Sequence, residues 1–244
     1  MVQIFSTKAE LAAAAAALAA ERLRDLLARQ SQVRLLAATG ASQLEFLDCL
    51  AAAEGIDWQR VELFHLDEYV GLSRDHPASF SGYIKQRIVD RMGIVQYHLL
   101  DGTRDAREMA AEAGQTISAA PVDLAFAGIG ENGHLAFNDP PADFEIEDPY
   151  LVVELDQACR QQQVGEGWFA TLEEVPRQAI SISIHQLLKT REILCVVPDE
   201  RKASAVRACL VGPISPEAPA SILRVHPNTT IFLDTASASL LSTI

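Results

Sequence analysis

The sequence has no lysine and arginine cluster of the size that holds a phosphate backbone, which excludes nucleic acid as its partner. Its 20 basic residues face 33 acidic ones, for a formal net charge of −13. It has no CxxC pair. The four cysteines, Cys49, Cys159, Cys195 and Cys209, are scattered. That spacing excludes a zinc knuckle and argues against a disulfide scaffold, so reduced, mostly buried thiols in a cytoplasmic protein are expected. No apolar stretch is long enough for a bilayer, because the alanine-rich run Leu11–Ala20 stops at Glu21. A basic start is also missing, and Lys8–Arg29 is expected to form one amphipathic surface helix rather than a signal peptide. No repeat, low-complexity linker or Pro/Ser-rich hinge divides the 244 residues, which are read as one domain, 1–244.

What is present is an alternation of apolar runs with helical segments. Val33–Ala38, Arg60–Leu66, Asp123–Gly128, Ala179–Ile184, Glu192–Val197 and Thr230–Leu233 read as strands. Ala41–Ala53, Ala78–Met92 and Glu200–Leu210 read as helices between them. Continuous apolar runs imply strands covered on both faces. The expected fold is therefore α/β: a doubly wound, mostly parallel sheet with helices on both faces, Rossmann-like. Ligands of such sheets bind beyond the carboxyl ends of the strands. In so acidic a chain, a small anion must be held by local donors.

Four loops qualify. Thr39-Gly40-Ala41-Ser42 joins a strand to a helix and offers N–H groups to an anion, but it is neither a Walker A loop nor GxGxxG. It also reads as an ordinary tight turn with Ser42 capping the helix. Asp67-Glu68 ends an apolar strand. Side chains alternate there, so one carboxylate can face the crevice as a general base while the other meets a structural partner. A solvated acidic turn is the plainer alternative. His76 follows and either joins that crevice or has no task. Gly128 to Pro141 places Gly128, Gly130 and Gly133 before His134, with Asn132 and Asp139 beside it as groups to fix the ring's tautomer. One His and one Asp do not make a metal ligand set, so no metal is expected. Lys202 sits in the first turn of a helix, where a cation opposes the dipole; it makes sense beside an anionic ligand, or as a solvated lysine.

Taken together these loops resemble the glucosamine-6-phosphate deaminase/6-phosphogluconolactonase family over nearly the whole chain. Thr39–Ser42 is similar to its Thr-Gly-x-Ser/Thr phosphate loop, and Leu66–Leu72 to its Asp-Glu-Tyr segment. Gly128–Pro140 is similar to its histidine loop, Val197–Leu210 to its Lys-Ala helix, and Ala220–Pro227 to its Ser-x-Leu-x-x-His-Pro segment. Lactonases usually read Asp-Glu-Arg and Gly-His-Thr-Ala-Ser where this chain has Asp67-Glu68-Tyr69 and Gly133-His134-Leu135-Ala136-Phe137, which favours the deaminase branch.

The resemblance implies a reaction on a 2-amino-2-deoxyhexose 6-phosphate: ring opening, proton transfer from C2 to C1, and release of a ketose phosphate and ammonia. It makes Asp67 the proton carrier and His134 the ring-opening acid/base. Asp139 stands for a glutamate that partners the histidine, and Asn132 for an Asp or Asn. It places the 6-phosphate on Thr39, Gly40, Ala41, Ser42, Gly128 and Lys202. Neither metal nor organic cofactor is implied. The partner is a small sugar phosphate, with no membrane and with a homo-oligomer left open. Asp139 is one methylene shorter than the family glutamate, Gln43 replaces a frequent proline, and the family's phosphate-binding arginine has no match except Arg160. A C4-epimeric amino sugar, a lactone and a non-catalytic sensor remain alternatives.

Overall fold

A computed structural model describes residues 1–241. In chain order the elements are β1 (Val2–Phe5), α1 (Lys8–Arg29), β2 (Val33–Ala37), α2 (Leu44–Ala51), β3 (Val61–His65), β4 (Asp67–Tyr69) and α3 (Phe80–Ile84). A π-helical segment, Lys85–Val89, leads into α4 (Asp90–Met92), followed by β5 (Gln96–His98), α5 (Ala106–Ser118), β6 (Leu124–Ala127), β7 (Tyr150–Glu154) and α6 (Gln157–Gly165). The chain continues through β8 (Gln178–Ile182), α7 (Ile184–Leu188), β9 (Glu192–Val197), α8 (Ala203–Val211) and β10 (Thr229–Asp234).

Seven strands form one parallel sheet in the order β1-β10-β9-β6-β2-β3-β5. Every residue of β2 and β6 is buried, as the unbroken apolar runs require of strands covered on both faces. The chain builds outward from β2 through β3 to β5, then returns to the other side of β2 with β6 and builds outward again through β9 and β10. Connections leaving β2 and β6 therefore diverge, and the loops after these two strands open a crevice between them.

Helix α1 has the expected bounds. Thr7 caps it by accepting from Glu10 N at 3.2 Å, and Glu10 accepts in return from Ser6 N at 3.1 Å. It buries Leu11, Ala15, Ala19, Leu23 and Leu27 along one face. The small alanines let it lie close against α2 and the sheet.

A second sheet was not visible in the sequence: β4-β8-β7, antiparallel, with Asp67 opposite Ser181. The Ala179–Ile184 run reads as another central strand, yet the structure places Gln178–Ile182 here. An apolar run reports burial, not which sheet it joins. Aromatic residues are only 6% of the chain, but Tyr69, Phe80, Phe137 and Phe169 gather beside this sheet with Tyr69 ring-centroid separations of 5.0, 5.2 and 5.5 Å. Phe80 and Phe137 form part of the crevice wall.

Candidate active site

The loops after β2, β3, β6 and β9 converge on one cleft. Thr39, Gly40, Ala41 and Ser42 line it together with Asp67, Gly128, His134 and Lys202. Gly40 adopts φ 102°, a conformation that side chains rarely take. Ser42 does not cap α2; Gln43 is its N-cap residue and makes no side-chain capping bond, and Ala41–Gln43 form a 3₁₀ turn. Gln43 is fully buried. Its Nε2 donates to Ser42 Oγ at 3.2 Å, Val196 O at 3.3 Å and Ala127 O at 3.4 Å. The replacement of proline thus does more than alter a turn, because it ties the loop to the ends of β6 and β9. A Cβ at Gly128 would lie 3.2 Å from Gln43 Nε2, so the buried amide would have to give by a few tenths of an ångström.

The two adjacent carboxylates divide their tasks as alternation predicts. Glu68 accepts from Ser79 Oγ at 2.6 Å and from Tyr69 N and Ser81 N at 2.8 Å, so it holds the start of α3. Asp67 faces the cleft and is 6% exposed. Burial, followed by the neighbouring Glu68 carboxylate, pushes its pKa up to about 8, against the hydrogen bond from Thr39. A carboxyl poised near neutral pH is suited to exchanging protons.

The histidine loop closes on itself. Gly130 N donates to His134 O and Gly133 N to Gly130 O, each at 3.0 Å, with Gly133 at φ 88°. Asn138 Nδ2 ties the loop down by donating to Leu135 O at 2.7 Å and Ile182 O at 2.9 Å. Asn132 Oδ1 accepts from His134 N at 3.0 Å, while Asn132 Nδ2 donates to Asp139 Oδ1 at 3.0 Å and Asp156 Oδ2 at 3.3 Å. His134 Nδ1 lies 3.2 Å from Asp139 Oδ1, so the shorter aspartate does reach the ring. Burial acts to raise the Asp139 pKa, but the contact with His134 and the donors Asn132 and Asp156 N together hold it below the usual carboxylate range. This leaves the Nε2 edge of the ring against Gly130, on the cleft side.

Gly130 is the residue that sequence reasoning valued only as part of a glycine-rich loop. A Cβ built there would fall 2.2 Å from His134 Nε2 and 2.3 Å from Cε1, inside the ring's own space. Gly130→Ala must therefore displace the imidazole. A displacement of about 1 Å at a reacting group costs up to ~10²-fold. We expect kcat to fall by about that factor while the fold, followed by far-UV circular dichroism, is retained. A kcat near wild type would show that the ring tolerates the shift.

Lys202 is 5% exposed in the 3₁₀ turn after β9, a turn set by Asp199 at φ 89°. Arg201 beside it pairs with Asp199 at 3.3 Å and Glu131 at 3.6 Å, whereas Lys202 makes no ion pair among the described residues. Burial lowers its pKa, and the acids Glu166 and Glu131 act in the opposite sense from a distance. Arg160 does not supply the missing arginine. Its guanidinium donates to Leu172 O and, at 3.0 Å, to Val175 O, and so braces the segment after α6 outside the cleft. His76 is exposed, stacks on Phe169 at 5.6 Å and also stays outside.

Helix α6 supplies a wall that no motif announced: Gln162, Gln163 and Glu166. Gln162 Oε1 accepts from Glu131 N at 3.0 Å, and Glu166 accepts from Gln162 Nε2 at 2.7 Å and Trp168 Nε1 at 3.1 Å. The cleft holds about 70 Å³ of water-accessible space. A groove of about 1130 Å³ between α5 and β7 is far larger, but it brings together none of the residues singled out above. No helix among the described residues is long and apolar enough to cross a membrane.

Comparison with known proteins agrees with this layout. Residues 6–232 match the model of the family described as glucosamine-6-phosphate isomerases/6-phosphogluconolactonase. A glucosamine-6-phosphate deaminase of Streptococcus pneumoniae serotype 4 is 36% identical over 222 residues, covering 91% of this chain and 93% of that one. The solved structure of a monomeric glucosamine-6-phosphate deaminase of the NagB superfamily superposes with a TM-score of 0.90 at 30% identity, over 98% of this chain and 99% of that one. A 6-phosphogluconolactonase from Shewanella baltica OS155 shares the fold at TM-score 0.80 and 19% identity, over 96% and 97% of the two chains.

Proposed function

The chain belongs to the glucosamine-6-phosphate isomerase/6-phosphogluconolactonase family, and within it we propose that it deaminates a 2-amino-2-deoxyhexose 6-phosphate, with glucosamine 6-phosphate as substrate. The observation that carries this reading is the meeting of Asp67 and His134 in one cleft with the anion loop and Lys202. His134, with the Asp139 carboxylate 3.2 Å from its Nδ1, takes the proton from O1 and returns one to O5, opening the pyranose. Asp67 then removes the C2 proton of the open aldose, while O1 takes a proton from the substrate's own ammonium group, and delivers the proton to C1. The iminium left at C2 is hydrolysed by water, giving fructose 6-phosphate and ammonia. Each step moves protons between oriented groups.

The lactonase alternative needs one base to activate water and gives a buried carboxyl such as Asp67 no proton to carry. A sensor would need the anion site but neither Asp67 nor His134. The deciding experiment is ammonia and ketose 6-phosphate release across a panel of hexosamine 6-phosphates that includes the C4 epimer, with 6-phosphogluconolactone hydrolysis run beside it. Efficient lactone hydrolysis with no ammonia from any amino sugar would sink the assignment.

Lys202→Ala is expected to act mainly on KM. A lost charge-assisted contact is worth ~1.5–3 kcal/mol, which corresponds to about 10–100-fold in KM with a smaller change in kcat. An unchanged KM would move the phosphate contact to another cation, and Arg201 is then the one to test.

A further inference from the structure

The sequence offers one histidine and one aspartate at this loop, too few ligands for a metal. Folding adds a third donor from α6. The side-chain donor atoms of His134, Asp139 and Cys159 all lie within 4.8 Å of one another. We propose that these three side chains form a binding site for a soft divalent cation of the zinc class, and that its occupation switches off His134.

The argument begins with donor chemistry. Imidazole nitrogen, carboxylate oxygen and thiolate sulfur are the three ligand types that zinc takes. Neutral imidazole with two anionic ligands balances a 2+ charge, which matters because the site is closed to water: Cys159 is 0% exposed and His134 9%. Geometry is the second step. Zinc bonds to nitrogen and oxygen at about 2.0–2.1 Å place two tetrahedral donors roughly 3.3 Å apart. His134 Nδ1 and Asp139 Oδ1 are already at 3.2 Å. The sulfur lies within 4.8 Å of the other donors and must come to about 3.5 Å, a closure of at most about 1.3 Å. The third step is an independent observation. His134 Nδ1 is buried without a satisfied hydrogen bond, because the contact with Asp139 has ion-pair distance but poor hydrogen-bond direction. An unsatisfied buried nitrogen carries a cost that a bond to metal removes.

Supporting residues hold the ligands in place. Asn132 Nδ2 donates to Asp139, and Asp156 N donates to Asp139 Oδ2 at 3.1 Å. Asp156 Oδ1 accepts from Cys159 N at 2.5 Å, which fixes the first turn of α6 over the site. Binding releases the Cys159 thiol proton to solvent, and His134 coordinates as the neutral ring protonated on Nε2. Neither Asp139 nor Cys159 lines the cleft, so the cation sits behind the ring, away from the sugar. It takes the place of Asp139 as the partner of Nδ1, and the ring can no longer cycle between its protonation states. Inhibition by zinc should therefore lower kcat and leave KM unchanged.

Cd²⁺ is the probe, since a thiolate–Cd²⁺ bond has its own ultraviolet charge-transfer absorption and is read without any activity assay. The titration is done in the Cys49→Ser background, because Cys49 is the exposed thiol. One equivalent should bind with one thiolate band. Cys159→Ala should abolish the band and the zinc inhibition together, and Asp139→Asn should weaken Zn²⁺ binding by calorimetry at least tenfold. Absence of a band in the Cys49→Ser protein, or its survival in Cys159→Ala, overturns the proposal. Zinc inhibition unaffected by Cys159→Ala overturns it as well. The absorbance and calorimetric outcomes do not depend on which sugar phosphate is the substrate; the inhibition arm alone rests on the proposed function.

Discussion

Asp67→Asn should lower kcat by ~10²–10⁴-fold, the usual consequence of losing a positioned general base, while substrate binding stays measurable by calorimetry. Asparagine keeps the shape of the side chain and loses only its capacity to take a proton. The same carboxyl predicts the pH profile. Burial first and then Glu68 push its pKa up to about 8 in the folded protein. The base must be ionised to act, so kcat/KM of the wild type should rise as pH increases through about 8. Stability moves the other way. The native state holds this proton more tightly than the unfolded chain, whose carboxyl titrates near ~4. Stability linked to it is complete below about 4 and is lost progressively as pH rises through about 8. Asp67→Asn removes that loss, so its Tm relative to wild type should climb between about pH 5 and 9 as turnover collapses. A kcat within a few-fold of wild type would remove Asp67 from the role of base. A flat difference in Tm would show that the carboxyl ionises freely where it stands.

The architecture was legible wherever burial left a periodic trace. Helix α1 announces itself by apolar spacing and by Thr7 at its start, and β2, β6 and β9 by unbroken apolar runs. The elements that escaped lack such a trace. Strand β5 is exposed at all three residues, Gln96–His98, and pairs only along a sheet edge. Strand β4 is three residues long and two of them are acids, so nothing local marks Asp67–Tyr69 as sheet. Strand β7 is half-buried and mixed in character.

The candidate site divides in the same manner. Residues whose chemistry is carried by their own type and loop, such as Asp67, His134 and Lys202, could be read in advance. Residues that act by where the chain brings them could not. Gly130 matters because an imidazole lies on it, Cys159 because α6 folds over the histidine loop, and Glu166 because one helical turn carries it to the side of Gln162. Even the branch argument changes once distances are known. Tyr69 and Phe137, two of the three departures from the lactonase pattern (Leu135 is the third), have ring centroids 5.2 Å apart. They form one packing unit and count as a single signal. An arginine at position 69 would have to place its charge inside that aromatic cluster, where Tyr69 is fully buried.

For His134→Gln the expected result depends on the form of the substrate. Glutamine can hydrogen-bond near the ring's place but cannot gain and lose a proton near neutral pH. Ring opening requires both acts, at O1 and O5, so turnover of the cyclic sugar should fall by ~10²–10⁴-fold. The later transfer from C2 to C1 belongs to Asp67, which Thr39 and β4 hold independently of the histidine loop. An open-chain analogue, a 2-amino-2-deoxyhexose 6-phosphate aldehyde whose ring-closing hydroxyls at C4 and C5 are methylated, should therefore recover most of the lost rate. The single observation behind this division is that Asp67 and His134 enter one cleft from separate strands, each with its own supporting partners. In lactone hydrolysis the histidine would activate water, and no open-chain form exists to rescue its loss. Equal defects on cyclic and open-chain substrates would place His134 in the proton transfer itself. Rescue that appears in His134→Gln and is absent in Asp67→Asn is the pattern that two groups serving two successive steps must give.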